Sequence, residues 1–435
     1  MNVITEVAET HDLRADDATY VWHPFTQAKH STQPPIFVRG EGARLYDDAG
    51  HSVLDLISSW WVNLHGHAHP VIAEAIAEQA RTLEQVHFAG ASHPSAITYA
   101  RELVNALTPP LQRVFYSDNG STAVEAALKI AIQYWQNLGK PRRRLLAFEG
   151  GYHGDTFGAM SAGRGTSYFS PFTAWLFPVD LLRYATATSD SDPEPNEQRA
   201  LAFLDRYLDN YGYDVAACIL EPLVQGAGGM RMSRPSFVKQ VIERLQARGI
   251  LVILDEVLTG FGRTGTMWAY EQLGIVPDML CLAKGMTGGF LPLAATVVTE
   301  PIYNAFLHDR TERAFLHGHS YTANPLGCAA ALASLRLFKQ EDTLQKVATL
   351  ASIHANELPQ VRIIPGVSKT RYCGSIAAFE LDLKPQEMAT FVSRLLETDV
   401  LIRPLGKTVY LLPPYCLAPE DLKRTYALIR RILQR

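Results

Sequence analysis

Lys284 closes the apolar run "DMLCLA" (278–283), and Asp255 closes "ILVIL" (250–254). A lysine carried to the end of a buried strand loses solvation and with it proton affinity, which suits Schiff-base chemistry with a carbonyl. An aspartate in the same situation can pair with a cationic nitrogen, or simply cap a turn. Two further stretches belong with them. "NGST" (119–122) opens a helical pattern, so its free backbone N–H groups and hydroxyls offer an anion site. "GGYHGD" (150–155) sets Tyr152 and His153 between glycines, which suits an aromatic ring laid over a flat ligand.

Each feature alone has an ordinary structural use, as a helix cap, a turn or a solvated lysine. Together they form the inventory that pyridoxal phosphate needs: a phosphate cradle, a stacking aromatic, an acid for the ring nitrogen and a lysine for the aldehyde.

Such groups must be positioned by a sheet. From about residue 70 to 335 the chain alternates helical and strand patterns. "PVIAEAIAEQARTL" and "STAVEAALKIAIQYWQNLG" have helical spacing. "RVFYSD", "RRLLAFEGG", "VAACILEP", "ILVILDEV" and "DMLCLAKG" are apolar strands that end in polar or glycine turns. Continuous apolar strands separated by helices predict a parallel sheet buried on both faces, with its chemistry at the strands' carboxyl ends. The acidic "TATSDSDPEPNEQR" (186–199) reads as a solvated loop. Beyond 335, helix-like stretches around "SIAAFEL" and "VYLLPPY" suggest a smaller domain. The expected division is 1–65 and 336–435 as the two parts of the small domain, and 66–335 as the large one.

The 435 residues are 47% hydrophobic and 19% charged, with a formal net charge of -4. The mildly acidic balance argues against nucleic acid, and the apolar runs fall short of the roughly 20 residues a spanning helix needs. The acidic beginning has no apolar segment of a signal peptide. Five scattered cysteines without a CxxC read as thiols of a reducing compartment. A cytoplasmic protein is expected.

"LDEVLTGFGRTG", "LAKGMTGGFLPLAAT" and "HGHSYTANPLGCAAAL" resemble the class III (omega) aminotransferases, over nearly the whole chain. The resemblance implies an α/β protein of PLP-dependent transferase fold type I. A large domain with a mainly parallel sheet would be joined by a smaller α+β domain from both chain ends, and the active sites would be shared in a homodimer. It makes Lys284 the lysine that binds the cofactor, Asp255 the partner of the ring nitrogen, and Tyr152 and Val257 the residues on the two ring faces. Gly120 and Ser121 would hold the phosphate, helped by Ser320 of the partner subunit.

Within that family "VWHPFTQ", "ISSWWVNLHGH", "EPLVQGAGGMR" and "RPLGKTVYLLPPY" are most similar to the branch that aminates 8-amino-7-oxononanoate in biotin biosynthesis. For that branch Trp60, Phe25, Tyr152, Asp155, Arg263, Gly318 and Tyr410 would line the substrate pocket, and Arg403 would receive the substrate carboxylate. Neighbouring residues on a strand face opposite ways, so the two tryptophans are not expected to fill one core, and with Trp60 in the pocket the resemblance leaves Trp61 to packing. Many family members carry an acid that pairs with the arginine. Here the position is Ala227, which leaves Arg403 free and suits a long-chain keto acid. The expected donor is S-adenosylmethionine. Phe25, without a phenolic hydroxyl, and "GHS" (318–320) are similar to a subset that uses lysine instead. Another omega-aminotransferase, acting on a diamine or ω-amino acid, would share every cofactor residue.

Overall fold

The computed structural model describes residues 12–29 and 34–434. In chain order the strands are β1 (Phe37–Glu41), β2 (Arg44–Asp47), β3 (Ser52–Asp55), β4 (Leu111–Ser117), β5 (Arg144–Phe148), β6 (Asp180–Leu182), β7 (Val215–Leu220) and β8 (Val224–Gln225). They continue with β9 (Arg231–Met232), β10 (Leu251–Asp255), β11 (Met279–Leu282), β12 (Ala294–Thr299), β13 (Val367–Cys373), β14 (Ile376–Leu381), β15 (Val400–Leu401) and β16 (Thr408–Leu411).

Seven of them form the central sheet, in the order β4-β12-β11-β10-β7-β5-β6. β11, β10, β7, β5 and β6 are parallel, whereas β12 runs antiparallel to both its neighbours. Since β12 reverses direction on each side, β4 again points the same way as β11. The carboxyl ends of β4, β5, β7, β10 and β11 therefore open on one edge. β7 and β10 are buried along their whole length, as strands covered on both faces must be. Helix Gly120–Asn137 lays Ala123, Val124, Ala127, Ile130 and Ala131 against one face. The small side chains let the helix axis approach the sheet closely.

The two chain ends meet in a second body of structure. β15 pairs in parallel with β3, joining residues 400–401 to the sheet β1-β2-β3, while β13-β14-β16 form a separate antiparallel sheet. The boundary expected between 335 and 336 falls within the continuous helix Pro325–Gln340.

Three sequence expectations change. β6 and β12 were not legible as strands: β6 has three residues, and the "AATVVT" of β12 starts on alanines, which are depleted in strands. The stretch 186–199 is not loop throughout, because helix Glu194–Tyr211 begins inside it. Its acidic start suits the positive end of a helix dipole, and Glu197 turns inward to pair with Arg234. The "SSWW" segment is not a strand but a short turn, Ser58–Trp61.

Leu204, buried on helix Glu194–Tyr211, gives a test of that helix. Leu204→Ala should lower stability by about 2–5 kcal/mol, read from the urea midpoint, whereas Tyr213→Ala, at 80% exposure, should stay within about 0.5 kcal/mol of the parent.

Candidate active site

The order of strands across the sheet becomes an order of functional groups along its edge. Asp255 ends β10 and faces Cys281 in the ladder with β11, and Lys284 follows three residues beyond Cys281. On the other side Leu254 faces Leu220 of β7, so Glu221 stands beside Asp255. β5 follows β7 and leads into Tyr152 and His153, while β4 leads into Asn119 and Gly120. All of these except Cys281, Leu254 and Leu220 line one cavity of about 460 Å³, together with Ser121, Val257 and Trp61. That volume lies within the range of ordinary ligand sites.

Asp255 is held twice. One oxygen accepts the Val257 N–H at 3.1 Å, and the other meets His153 Nδ1 at 2.7 Å. Burial alone would lower the proton affinity of His153, but the hydrogen bond and charge of Asp255 outweigh it and raise the pKa. Nε2 of His153 is buried with no partner among the described residues. Lys284 has a positive φ of 43°, and its Nζ lies 4.6 Å from the centre of the Trp61 ring. Burial lowers its pKa to about 8, against the pull of Asp255 and Glu221 in the other direction.

Glu221 was not singled out by sequence reasoning. Its oxygens accept the N–H groups of Tyr152 at 3.0 Å and Gly226 at 2.9 Å, and burial raises its pKa to about 7. Nothing in the pattern marks such a residue, because its partners are backbone amides. Tyr152 stacks on Phe169 with 6.0 Å between ring centres. Burial, reinforced by Asp155, raises its phenol pKa.

The anion end of the cavity is the start of helix Gly120–Asn137. Asn119 and Thr122 form a capping box, and the first-turn amides have no partners within the helix. A Cβ on Gly120 would lie 2.8 Å from Val257, and one on Gly154 2.1 Å from Ser121 Oγ. Glycines therefore keep this end narrow and lined by backbone. Ser121 Oγ accepts the Asp155 N–H at 3.2 Å. A buried acid with its imidazole, an aromatic wall, a lysine of lowered pKa and an open helix start fit a flat aromatic aldehyde that carries a phosphate.

Several expected pocket residues lie elsewhere. Trp61, not Trp60, lines the cavity. Trp61 is 5% exposed, and its indole donates to the Tyr410 hydroxyl at 3.0 Å. Trp60 stands outside, 41% exposed, with the Arg403 guanidinium 4.6 Å above its ring and the Phe25 edge against it at 5.6 Å. Positive φ values at Ser58, Ser59 and Trp61 turn the two indoles apart, which no strand geometry would give. Tyr410 sits behind Trp61 rather than in the lining.

Arg263 is also withdrawn. It is 1% exposed and donates to the carbonyls of Pro413, Trp61 and Asn63. Gly318 and Ser320 are exposed and take no part in their own chain's cavity.

The match to the family model for class III aminotransferases runs over residues 26–433. The adenosylmethionine-8-amino-7-oxononanoate aminotransferase of Synechococcus elongatus is 51% identical, over 95% of this chain and 98% of that protein. The Helicobacter pylori protein of the same name is 38% identical, over 97% and 98%. Among solved structures, the Methanocaldococcus jannaschii enzyme of that name superposes with a TM-score of 0.90 at 34% identity, over 97% of this chain and 98% of that one. The Pseudomonas jessenii omega transaminase in complex with PMP gives 0.90 at 26% identity, over 98% of both chains. The chain thus belongs to the class III aminotransferases, enzymes that work with pyridoxal 5'-phosphate.

Proposed function

We propose that the enzyme transfers an amino group from S-adenosylmethionine to 8-amino-7-oxononanoate, giving 7,8-diaminononanoate, the transamination of biotin biosynthesis. The observation that carries this reading is Arg403. Among the described residues it forms no ion pair, and it is held on the Trp60 ring at 4.6 Å. A guanidinium kept free beside an aromatic wall is placed to take a carboxylate as a two-pronged pair. The apolar surface next to it suits the carbon chain of a long keto acid. Ala227 supports this, since it brings no acid to compete. The names and coverage of the relatives agree with it.

Gly120 and Ser121 would hold the cofactor's phosphate, Asp255 its ring nitrogen, and Tyr152 and Val257 its two faces. When bound, pyridoxal phosphate supplies a ring that accepts the electrons left on a substrate carbon as its proton departs. Lys284, whose pKa burial lowers to about 8, would take that proton as a general base and return it as a general acid. Asp255 keeps the ring nitrogen protonated, with His153 fixing its carboxylate. Phe25, edge-on to both Trp60 and Tyr168, would form with them an aromatic wall for the sulfonium of the donor, worth roughly 0.5–2 kcal/mol. Phe25 also favours a second reading, with lysine as donor, because its ring brings no hydroxyl to the pocket.

A homodimer belongs to this proposal. Gly318 would face the substrate of the other site, and Ser320 of the partner subunit would complete the phosphate cradle. The exposed Leu316 and Tyr321 beside them suit a protein contact. The enzyme would act in the cytoplasm on small molecules. Among the described residues no helix is long and apolar enough to cross a membrane.

Three measurements test this reading. Acetylation of Lys284 in the apoenzyme, followed by mass spectrometry, should be half-maximal near pH 8, because only the neutral amine reacts. An inflection at the ordinary 10.5 contradicts the environment described. Arg403→Ala should weaken the keto acid by roughly 2–5 kcal/mol while cofactor affinity holds, and an unchanged KM would put the carboxylate elsewhere. Finally, each donor alone, without the keto acid, should be tested for one turnover of deaminated product. Product from S-adenosylmethionine is expected. Product from lysine only would move the donor assignment and leave the acceptor intact.

A further inference from the structure

Arg263 presents a problem that the substrate reading leaves open. A guanidinium buried to 1% normally answers a carboxylate, because an uncompensated buried charge is costly. Among the described residues Arg263 pairs with none. Its fork donates to Asn63 O at 2.8 Å, Trp61 O at 3.3 Å and Pro413 O at 3.1 Å, and the guanidinium lies 4.9 Å from the centre of the Tyr415 ring. Its own carbonyl accepts the N–H and the hydroxyl of Ser375. Three segments distant in sequence are thus joined at one residue, 61–63 and 413 through its side chain and 375 through its carbonyl.

The segment it grips needs holding. Ser58, Ser59 and Trp61 have φ values of 49°, 61° and 68°, a conformation side chains avoid and that persists only where the surroundings impose it. Asp55 fixes the start of this turn. Its oxygens accept the N–H groups of Ile57 at 3.1 Å and Ser59 at 2.6 Å, and His67 Nε2 lies 3.0 Å away. Arg263 fixes the end. Between them the turn presents Trp61 to Lys284 and Trp60 to Arg403.

We propose that Arg263 is a positioning residue which, through the carbonyls of Trp61 and Asn63, holds the Trp61 ring against the Lys284 amine, and that it does not itself touch the substrate. The proposal rests on Lys284 as the cofactor-binding lysine. Borohydride reduction of the wild-type holoenzyme, with the labelled lysine identified, tests that assignment separately.

The test is a double-mutant cycle of Arg263→Met and Trp61→Phe on the holoenzyme, with kcat, KM and the visible circular dichroism of the bound cofactor measured. Groups acting through one another are non-additive. Arg263→Met should therefore lower kcat by about tenfold or more and change the cofactor's dichroism, with KM for the keto acid within about threefold. Adding Trp61→Phe to it should cost no more than about a further twofold. Arg263→Lys, which keeps the charge but not the fork, should recover only part of the loss. Should Arg263→Met fail to fold, the same cycle with Arg263→Lys decides. A large rise in KM with kcat and dichroism unchanged, or losses that simply multiply in the double variant, overturns the proposal.

Discussion

Asp255 faces Cys281 in the parallel ladder between β10 and β11, and Leu254 faces Leu220 between β10 and β7. Because side chains on a strand alternate with a period of two, a slip of one residue in either ladder would turn its groups to the other face. This register brings Lys284, Asp255 and Glu221 together although they come from three separate strands. The antiparallel β12 preserves it, since inserting one reversed strand leaves β4 and its helix start on the same edge as the rest. The cradle at Gly120 and the lysine at 284 can then serve one small ligand.

The register also brings charges together that would not share a dry cavity unaided. Consecutive acids show how the chain deals with this. Asp255 points into the cavity and is matched by His153, while Glu256 points away and accepts the N–H groups of Ala269 and Tyr270. Burial raises the pKa of Glu256 to about 8, a cost offset by capping a turn. A strand-end carboxylate can be a cap or a partner for a cation, and here the two uses fall on neighbouring residues. Glu221 has a third use, tying the backbone of Tyr152 to that of Gly226.

What the sequence disclosed follows from where the information lies. The apolar strands and helix Gly120–Asn137 were legible because burial on both faces, or on one, imposes a period. Lys284, Asp255, Tyr152 and Gly120 were legible because strand ends and helix starts have recognisable residues. The turn at Ser58–Trp61 was not, since positive φ at serine and tryptophan leaves no compositional sign. That turn decides which indole meets Lys284, so the approach of Trp61 to the lysine was not foreseen, while Trp60 faces Arg403. Arg263 was misread for a related reason. It was expected in the substrate pocket by resemblance alone, but its donors go to carbonyls, which every residue has and which leave no sign in the sequence. The helix hidden in 186–199 shows composition misleading in the same manner, because acids at a helix start look like a solvated loop.

The groups proposed for the chemistry stand at the ends of the central sheet. Those proposed to choose the substrate, Phe25, Trp60 and Arg403, come from segments near the chain's two ends, which β3 and β15 bring together. The two sets meet at the Ser58–Trp61 turn, where one indole faces the lysine and the next faces the arginine. Such a division lets the mouth of the site change its residues while the strand register beneath it stays fixed. It offers a physical reason why transaminases only 25–34% identical to this chain still superpose on it with a TM-score of 0.90. A new substrate can be met by changing the turn and the chain ends, whereas a slip in the ladder between β10 and β11 would turn its groups to the other face.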